Sequence, residues 1–344
     1  MSGFAEEIWE QPAALHNALE TVGGRLAALA ALRERLRAGD LTRVVMTGMG
    51  SSFSAMPPAM MFLLERGITV FGLDAAELLY YYPNALDKRT LAIVVSQSGA
   101  SVEVRRIVEE LPRPGALIAL SNTPGSPLDR AGDVALYMGA GKEVTVSNKS
   151  YTCSLAALHL MARALVGDDI APERARLARL ADALQPELPR WFDQAQALVE
   201  WFAGARVIEF LGRGTALASA QTGALITKEC AKFPTEAMSA GQFRHGPMEL
   251  VTPELGVILF AGPERTRHLS VTLARDLTAR GARVALIGGE SQPDVLHIPL
   301  PEADEWTAPI AEIIPVQCFA AALAASRGVE VGKFYFSSKV TVVE

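Results

Sequence analysis

Short β-branched runs alternate with longer amphipathic stretches along the whole chain. The N-terminal half contains five apolar runs of strand length, at 43–47, 69–73, 91–96, 116–120 and 134–138. The C-terminal half repeats the scheme with runs at 206–211, 256–261, 283–287 and 295–298. Leucine and valine residues at a three-to-four spacing between Glu10 and Arg37 predict one or two helices before the first strand. We therefore predict an α/β fold, in which each half is a parallel sheet with helices on both faces.

A shared local motif indicates that the two halves are repeats. After the first predicted strand the chain reads Gly-Met-Gly-Ser-Ser at 48–52, and the second half carries Gly-Arg-Gly-Thr at 212–215. The 344 residues exceed the size at which a single hydrophobic core usually stops growing. Pro186 and Pro189 interrupt a charged helical stretch between the halves. We therefore predict two tandem domains, 1–185 and 186–344.

The charge of the chain limits the partners it can attract. Its formal net charge is −6, which argues against broad binding to nucleic acid or to anionic lipid. Small anions remain possible ligands, because backbone amides and hydroxyls bind them without net positive charge.

The cysteines and the N-terminus indicate a cytoplasmic protein. Cys153, Cys230 and Cys318 lie far apart and show no metal-ligand or redox spacing, so a reduced compartment is expected. The N-terminus is acidic and has no apolar signal core, and the apolar stretches are expected to end well short of a membrane span.

Each glycine motif first suggests a dinucleotide site, because a strand followed by Gly-x-Gly permits close approach to a pyrophosphate. Asp74 follows about one βα unit later, where a ribose-binding acid is expected. However, Phe53 and Leu217 occupy the third small position of the fingerprint, where a bulky side chain disturbs helix–strand packing. An NAD-dependent oxidoreductase is therefore kept only as a minor alternative.

Serine hydroxyls, rather than the third glycine of the dinucleotide fingerprint, follow the strands of the first half. Ser51 and Ser52 follow the first strand, and the strand 91–96 runs into Ser-Gln-Ser-Gly-Ala-Ser. Parallel strands end at one edge of a sheet, where helix N-termini present free N–H groups to anions. We predict a phosphate monoester site formed by Ser51, Ser52, Ser96, Gln97, Ser98 and Ser101. The alternative is that these serines only cap helices and form turns.

Several segments in the same order resemble one family, the sugar isomerase (SIS) domain family, and specifically its double-SIS members. The chain is similar to the isomerase portion of glucosamine-6-phosphate synthase and to free-standing amino-sugar-phosphate deaminases and ketose/aldose isomerases. The segments that carry the resemblance are 7–12, 96–101, 143–152, 223–229 and 241–247.

The resemblance implies a role for individual residues. Glu229 would move a proton between C1 and C2 of the sugar, His245 would open the ring, and Lys339 would reach over the open-chain sugar. Val146 and Ser147 would line the sugar. In the family the active site lies at a dimer interface, and the neighbouring subunit supplies the histidine. The resemblance therefore implies at least a homodimer.

The implied reactions need a carboxylate, a cation and a histidine, and they require neither a cofactor nor a metal. Aldose–ketose interconversion and ammonia release both remove a weakly acidic proton next to a carbonyl or imine, which a positioned carboxylate can carry between carbons. The developing negative charge needs a nearby cation, either Lys339 or Lys228. Histidine accepts and donates protons near neutrality, as ring opening requires.

The sequence leaves the substrate open. Ile226 and Gln242 replace a lysine and an acid of the synthase-type pattern, and the tail lacks the Pro-Arg of many members. A phosphosugar isomerase or an amino-sugar-6-phosphate deaminase acting on a hexose or hexosamine 6-phosphate fits best. The alternative is a non-catalytic sugar-phosphate-binding regulator.

Overall fold

The computed structural model describes residues 3–336 and 338–341 and contains two five-stranded sheets. The strands are β1 Arg43–Gly48, β2 Val70–Asp74, β3 Thr90–Ser96, β4 Ala116–Ser121, β5 Val134–Tyr137, β6 Val207–Gly212, β7 Thr235–Ser239, β8 Leu255–Phe260, β9 Arg283–Ile287 and β10 Leu296–Ile298. Every strand pairing is parallel. The predicted α/β class with two parallel sheets is confirmed.

Helices fill the chain between the strands. They are α1 Gly3–Trp9, α2 Gln11–Gly23, α3 Ala30–Arg37, α4 Gly50–Ser54, α5 Pro57–Glu65, α6 Ala75–Tyr81, α7 Val102–Glu110, α8 Pro127–Ala131, α9 Lys149–Val166, α10 Ile170–Leu184, α11 Leu188–Trp201, α12 Ala216–Ala231, α13 Ala240–Phe243, α14 Glu264–Thr278 and α15 Ala308–Ser326. Among the described residues, three α-helices precede β1, which confirms the helical N-terminal segment.

The chain forms two compact units, each built around one sheet. The N-terminal-sheet unit contains residues 13–143 and 149–181 together with the described tail residues 336 and 338–341. The C-terminal-sheet unit contains residues 182–335, the segment 144–148 and residues 3–12. The predicted division between residues 185 and 186 stays a prediction.

The N-terminal sheet has the strand order β2-β1-β3-β4-β5. Every residue of β3 and β4 is buried, because helices cover both faces of these central strands. The register places Gly48 opposite Val95 and Ser96 opposite Ser121. The ends of β1, β3 and β4 therefore lie side by side at the carboxyl edge of this sheet.

The C-terminal sheet has the equivalent order, β7-β6-β8-β9-β10 when it is followed from the matching edge. The edge strand β7 was missed by the sequence reasoning. Its residues read Thr-Glu-Ala-Met-Ser and carry no apolar run, and only Thr235 at its start is buried. An edge strand covered on one side does not need the hydrophobic pattern by which buried strands are recognised.

Helix α15 is longer and more apolar than the sequence predicts. It has 19 residues, and its length and composition alone would permit a membrane crossing. This corrects the expectation that the apolar stretches end well short of a span. However, most of the helix is buried, and it packs against α11 and α12. Within its unit, α15 is a core helix.

Candidate active site

The phosphate loop predicted at 96–101 connects β3 to α7. The Oγ atom of Ser96 accepts a hydrogen bond from the Gly99 amide at 3.1 Å, and Ser98 Oγ accepts one from the Ala100 amide at 3.2 Å. Ser101 is the N-cap residue of α7, although its side chain makes no capping hydrogen bond. Ser96 and Ser98 thus stabilise the turn, which is the role that the alternative interpretation gave to these serines. A hydroxyl that accepts one hydrogen bond can still donate its own proton to an anion.

Gly99 allows this loop to pass close to the neighbouring βα connection. Its φ angle is +62°, and a Cβ atom added there would lie 2.2 Å from Ser126 Oγ. The carbonyl of Gly99 accepts a hydrogen bond from the Leu128 amide at 3.1 Å. A side chain at position 99 would therefore be strained in its backbone and blocked by its neighbour.

The other predicted phosphate ligands lie at the same edge of the sheet. Ser51 and Ser52 are half-buried in the short helix α4, which follows β1 directly. The loop after β4 adds polar groups that the sequence reasoning did not select. The carbonyl of Gln97 accepts hydrogen bonds from the amide of Asn122 at 3.0 Å and from Thr123 Oγ1 at 3.4 Å. The signal for these two residues was their position after a predicted strand beside the serine loop.

The acid that suggested a dinucleotide site has a different role in the structure. Asp74 ends β2 and is the N-cap residue of α6. Its Oδ1 atom accepts hydrogen bonds from the amides of Ala76 at 2.9 Å and Glu77 at 3.3 Å. The carboxylate thus satisfies the free amides of a helix start.

The tail brings Lys339 into the N-terminal-sheet unit. Lys339 Nζ lies 3.2 Å from Glu143 Oε2, and the Glu143 side chain is completely buried. The carbonyl of Thr341 accepts a hydrogen bond from the amide of Val102 at 3.0 Å. Val102 is the first residue of α7, so the tail occupies one of the helix N-terminal amides that the sequence reasoning had counted as free. The predicted lysine and the predicted phosphate loop therefore share one unit and are joined through the start of α7.

Glu229 lies in the last turn of α12 in the C-terminal-sheet unit. Lys232 is the C-cap residue of the helix. It has the left-handed φ of +51° and donates from Nζ to the Glu229 carbonyl at 2.6 Å. The same Nζ donates to the carbonyl of Lys333 at 2.8 Å. The amide of Gly332 also contacts the Cys230 thiol. The turn at 332–333 is thus held against the end of the helix that carries the predicted catalytic carboxylate.

The predicted sugar-contacting loop approaches the same turn. A Cβ atom added to Gly332 would lie 3.1 Å from Thr145 Cβ and 3.8 Å from the Val146 nitrogen. Val146 is buried and Ser147 is half-buried. Within this unit, the structure therefore connects the helix end of Glu229 to the loop of Val146 and Ser147 through residues 332–333.

Glu7 organises this loop and was not identified from the sequence as a functional residue. Its buried carboxylate accepts hydrogen bonds from the Val144 amide at 2.6 Å, from Asn148 Nδ2 at 3.3 Å and from Thr145 Oγ1. Asn148 also donates to the Phe4 carbonyl at 3.4 Å. The signal for Glu7 was its place in the segment 7–12, one of those that carried the family resemblance.

His245 follows the short helix α13, after the edge strand β7. Its amide donates to the Gln242 carbonyl at 2.8 Å, and the next residue, Gly246, has a φ of +116° that favours glycine. His245 is exposed, and so is Gln242. Strand β7 packs against α12, so His245 and Glu229 are carried by neighbouring elements of one unit.

The cysteines are structural. All three are free and buried, and burial raises the pKa of each thiol well above its usual value. Buried thiols of this kind are inert, in agreement with their isolated positions in the sequence.

The fold and the candidate site define a class of protein: a tandem α/β protein with a hydroxyl-rich loop at a parallel-sheet edge and a carboxylate on a helix of the second sheet. Residues 40–164 and 202–327 each match the SIS domain model. The two matches cover more than half of the chain, and the protein belongs to the SIS domain family.

Similar proteins include the glutamine–fructose-6-phosphate aminotransferases (isomerizing). The chain is 30% identical to that of Pyrococcus horikoshii over 332 residues, covering 94% of the chain and 54% of the relative. It is 31% identical to that of Pyrobaculum aerophilum over 349 residues, covering 98% of the chain and 57% of the relative. The chain thus spans little more than half the length of these relatives.

Solved structures share the fold over almost the whole chain. The C-terminal domain of glucosamine-fructose-6-phosphate aminotransferase from Francisella tularensis has a TM-score of 0.85 at 23% identity, with 97% of this chain and 98% of that chain covered. Glucosamine-6-phosphate deaminase from Thermotoga maritima has a TM-score of 0.79 at 22% identity, with 99% and 100% covered. Tagatose-6-phosphate ketose/aldose isomerase from Escherichia coli has a TM-score of 0.81 at 22% identity, with 97% and 96% covered.

Proposed function

We propose that the protein is a phosphosugar isomerase or an ammonia-releasing amino-sugar-6-phosphate deaminase. The substrate is a hexose or hexosamine 6-phosphate, and the reaction transfers a proton between C1 and C2. The observation that carries the proposal is the serine loop 96–101, which stands at the carboxyl edge of a parallel sheet inside a region that matches the SIS domain.

The phosphate is bound by hydroxyls rather than by cations in this proposal. Ser96 and Ser98 keep hydroxyl protons to donate, and Ser51 and Ser52 stand at the adjacent strand end together with Gln97 and Ser101. The phosphate lies far from the reacting carbons, so its binding energy positions the rest of the sugar.

The proton transfer is assigned to Glu229. After His245 has assisted ring opening, the Glu229 carboxylate removes a proton from one of the two carbons and returns it to the other. In the isomerase reaction the product is the ketose or aldose partner. In the deaminase reaction the proton moves from C2 to C1, and water hydrolyses the resulting imine at C2 with release of ammonia. Lys339 stabilises the negative charge that develops between these steps.

The remaining parts of the proposal concern assembly and location. We infer a homodimer in which the partner subunit completes the active site, on the strength of the family resemblance. We also infer a cytoplasmic location, which the three buried free cysteines support. The division into domains 1–185 and 186–344 is supported by the two SIS matches, which fall on either side of it.

The test is incubation with glucosamine 6-phosphate, galactosamine 6-phosphate and fructose 6-phosphate, with ammonia release and ketose formation measured separately. Ketose formation with ammonia identifies a deaminase, whereas interconversion without ammonia identifies an isomerase. Sugar-phosphate binding without turnover of any of the three would replace the enzyme by the regulator alternative. A rise in melting temperature with NAD and not with sugar phosphate would instead favour the oxidoreductase.

A further inference from the structure

The carboxylate of Glu143 has no assigned role in the proposed reaction, although it is one of the most completely buried charged groups of the N-terminal-sheet unit. Its side chain has an exposed fraction of 0%. Isolated buried carboxylates are unfavourable, so such a group is retained with partners that compensate its charge.

Those partners come from two different parts of the chain. Glu143 Oε1 accepts a hydrogen bond from the Ser150 amide at 2.9 Å, and Oε2 accepts one from Ser150 Oγ at 2.8 Å. Ser150 lies in the first turn of α9 and is itself buried. Lys339 Nζ, which comes from the tail, lies on the other side of the carboxylate at 3.2 Å from Oε2. Glu143 is thus fixed by a rigid helix on one side and contacts the lysine on the other.

The fixed end of the carboxylate limits where the lysine can be. A lysine side chain has four rotatable bonds, and near a chain terminus it usually samples many positions. Here only 25% of the Lys339 side chain is exposed, and the backbone two residues later is held by the Val102 amide at the start of α7. The contacts with Glu143 and with the Val102 amide therefore both constrain the described part of the tail, and the contact with Glu143 sets the direction of the ammonium group.

We propose that Glu143 is a positioning residue that fixes the Lys339 ammonium for the reaction. The inference rests on the proposed function, because the resemblance supplies the role of Lys339. Glu143 itself contacts neither phosphate nor sugar in this proposal and acts only through the lysine. A preorganised cation stabilises developing negative charge without the cost of reorganisation, so loss of Glu143 lowers kcat more than it raises KM.

The experiment is a double-mutant cycle on the full chain, using Glu143→Gln, Lys339→Met and the double variant. Glutamine keeps the shape of the side chain and removes its charge. We expect Glu143→Gln to lower kcat about tenfold or more with KM changed less than about threefold. In the Lys339→Met background the same change should cost nothing further. Equal losses in both backgrounds, or full activity of Glu143→Gln, would overturn the proposal.

Ser150→Ala weakens the anchoring of Glu143 without removing its charge. It removes the hydrogen bond from the Ser150 hydroxyl and leaves the Ser150 amide on Oε1, so Glu143 still faces Lys339. We expect kcat to fall by less than in Glu143→Gln, and this loss should disappear in the Lys339→Met background. A loss that persists in the Lys339→Met background would show that Glu143 supports α9 instead of positioning the lysine.

A second measurement separates this inference from the proposed function. Trypsin needs access to the lysine side chain, so cleavage after Lys339 is compared with cleavage after Lys88, an exposed lysine of the same unit, in the same sample. Glu143→Gln should raise the ratio of the two initial rates several-fold. If wild-type protein turns over no sugar phosphate, the proposed function fails, and this ratio alone decides the inference. An unchanged ratio would show that Glu143 does not hold Lys339.

Discussion

Ser219 Oγ donates a hydrogen bond of 2.5 Å to Glu312 Oε2 in the interior of the C-terminal-sheet unit. Ser219 belongs to α12 and Glu312 to α15, and both residues are buried. Removal from water raises the pKa of Glu312 to about 7, although the hydrogen bond from Ser219 and the charge of Arg267 act in the opposite direction. A carboxyl group in the core helix of this unit therefore titrates near neutral pH.

This pKa predicts a pH-dependent stability. Between the unfolded value of 4.5 and the folded value of about 7, the folded state holds a proton that the unfolded state has lost. The contribution of Glu312 is therefore full below about pH 4.5, decreases as the pH rises from there, and is lost above about pH 7. We expect Glu312→Gln, which does not titrate, to gain roughly 2 to 3 kcal/mol in unfolding free energy relative to wild type between pH 5 and pH 8. Urea unfolding of both proteins at the two pH values measures this difference.

Ser219→Ala is the control for this titration. Without the hydroxyl the carboxylate loses a group that lowers its pKa, so the transition in stability should move to higher pH. A wild-type protein whose stability relative to Glu312→Gln is the same at pH 5 and pH 8 would contradict the assignment.

A second prediction concerns the proposed proton carrier. Glu229→Gln keeps the size and hydrogen-bonding capacity of the side chain, but an amide cannot take up the proton. We expect kcat to fall at least about a hundredfold while sugar-phosphate binding stays within a few-fold of wild type. Steady-state kinetics and calorimetric titration with the substrate measure the two effects. Glu254→Gln is the matched control, because this exposed residue precedes β8 and so stands at the amino end of its strand.

Much of the fold was readable from the sequence because its strands are buried on both faces. Continuous apolar runs predicted β3 and β4 in the first sheet, and they also predicted β8 and β9 in the second sheet. Strand β7 could not be found in this way, because its polar composition resembles a turn. Periodicity records burial, and an edge strand is only partly buried.

The candidate site was readable only where residues adjacent in sequence form one loop. The serines at 96–101 are such a loop, and they were identified from their own spacing. Glu7 is separated from its partner Asn148 by 141 residues, and Glu143 is separated from Lys339 by 196. No local pattern encodes a contact over such a distance, so the structure was needed to reveal these two carboxylates.

The third prediction concerns Gly99 in the phosphate loop. Gly99→Ala places a methyl group 2.2 Å from Ser126 Oγ and 2.7 Å from Ser126 Cβ, at a φ of +62°. We expect sugar-phosphate affinity to fall at least about tenfold, because the loop has to move and the backbone strain alone costs about 1–2 kcal/mol. Calorimetric titration measures the affinity. Adding Ser126→Gly removes the clashing side chain and should restore part of the loss, and a double variant as weak as Gly99→Ala would contradict the steric explanation.

The fourth prediction concerns the buried carboxylate that holds the loop 144–148. Glu7→Ala removes the acceptor of three hydrogen bonds. The Asn148 side chain is then a fully buried donor that has lost one acceptor, whereas the Val144 amide and Thr145 Oγ1 are only partly buried. We expect a loss of about 3 kcal/mol in unfolding free energy and faster amide exchange across 144–148.

Glu6→Ala is the matched control for this prediction. Glu6 is also a glutamate of α1, but its side chain is exposed, whereas that of Glu7 is buried. Its unfolding free energy should stay within about 0.5 kcal/mol of wild type. Glu7→Ala should also raise KM for the sugar, because Val146 and Ser147 lie between the anchored residues Thr145 and Asn148, while affinity for inorganic phosphate at the serine loop should not change. Equal losses of phosphate and sugar affinity would show that Glu7 supports the whole protein rather than this loop, and unchanged exchange at 144–148 would show that its hydrogen bonds do not order the loop.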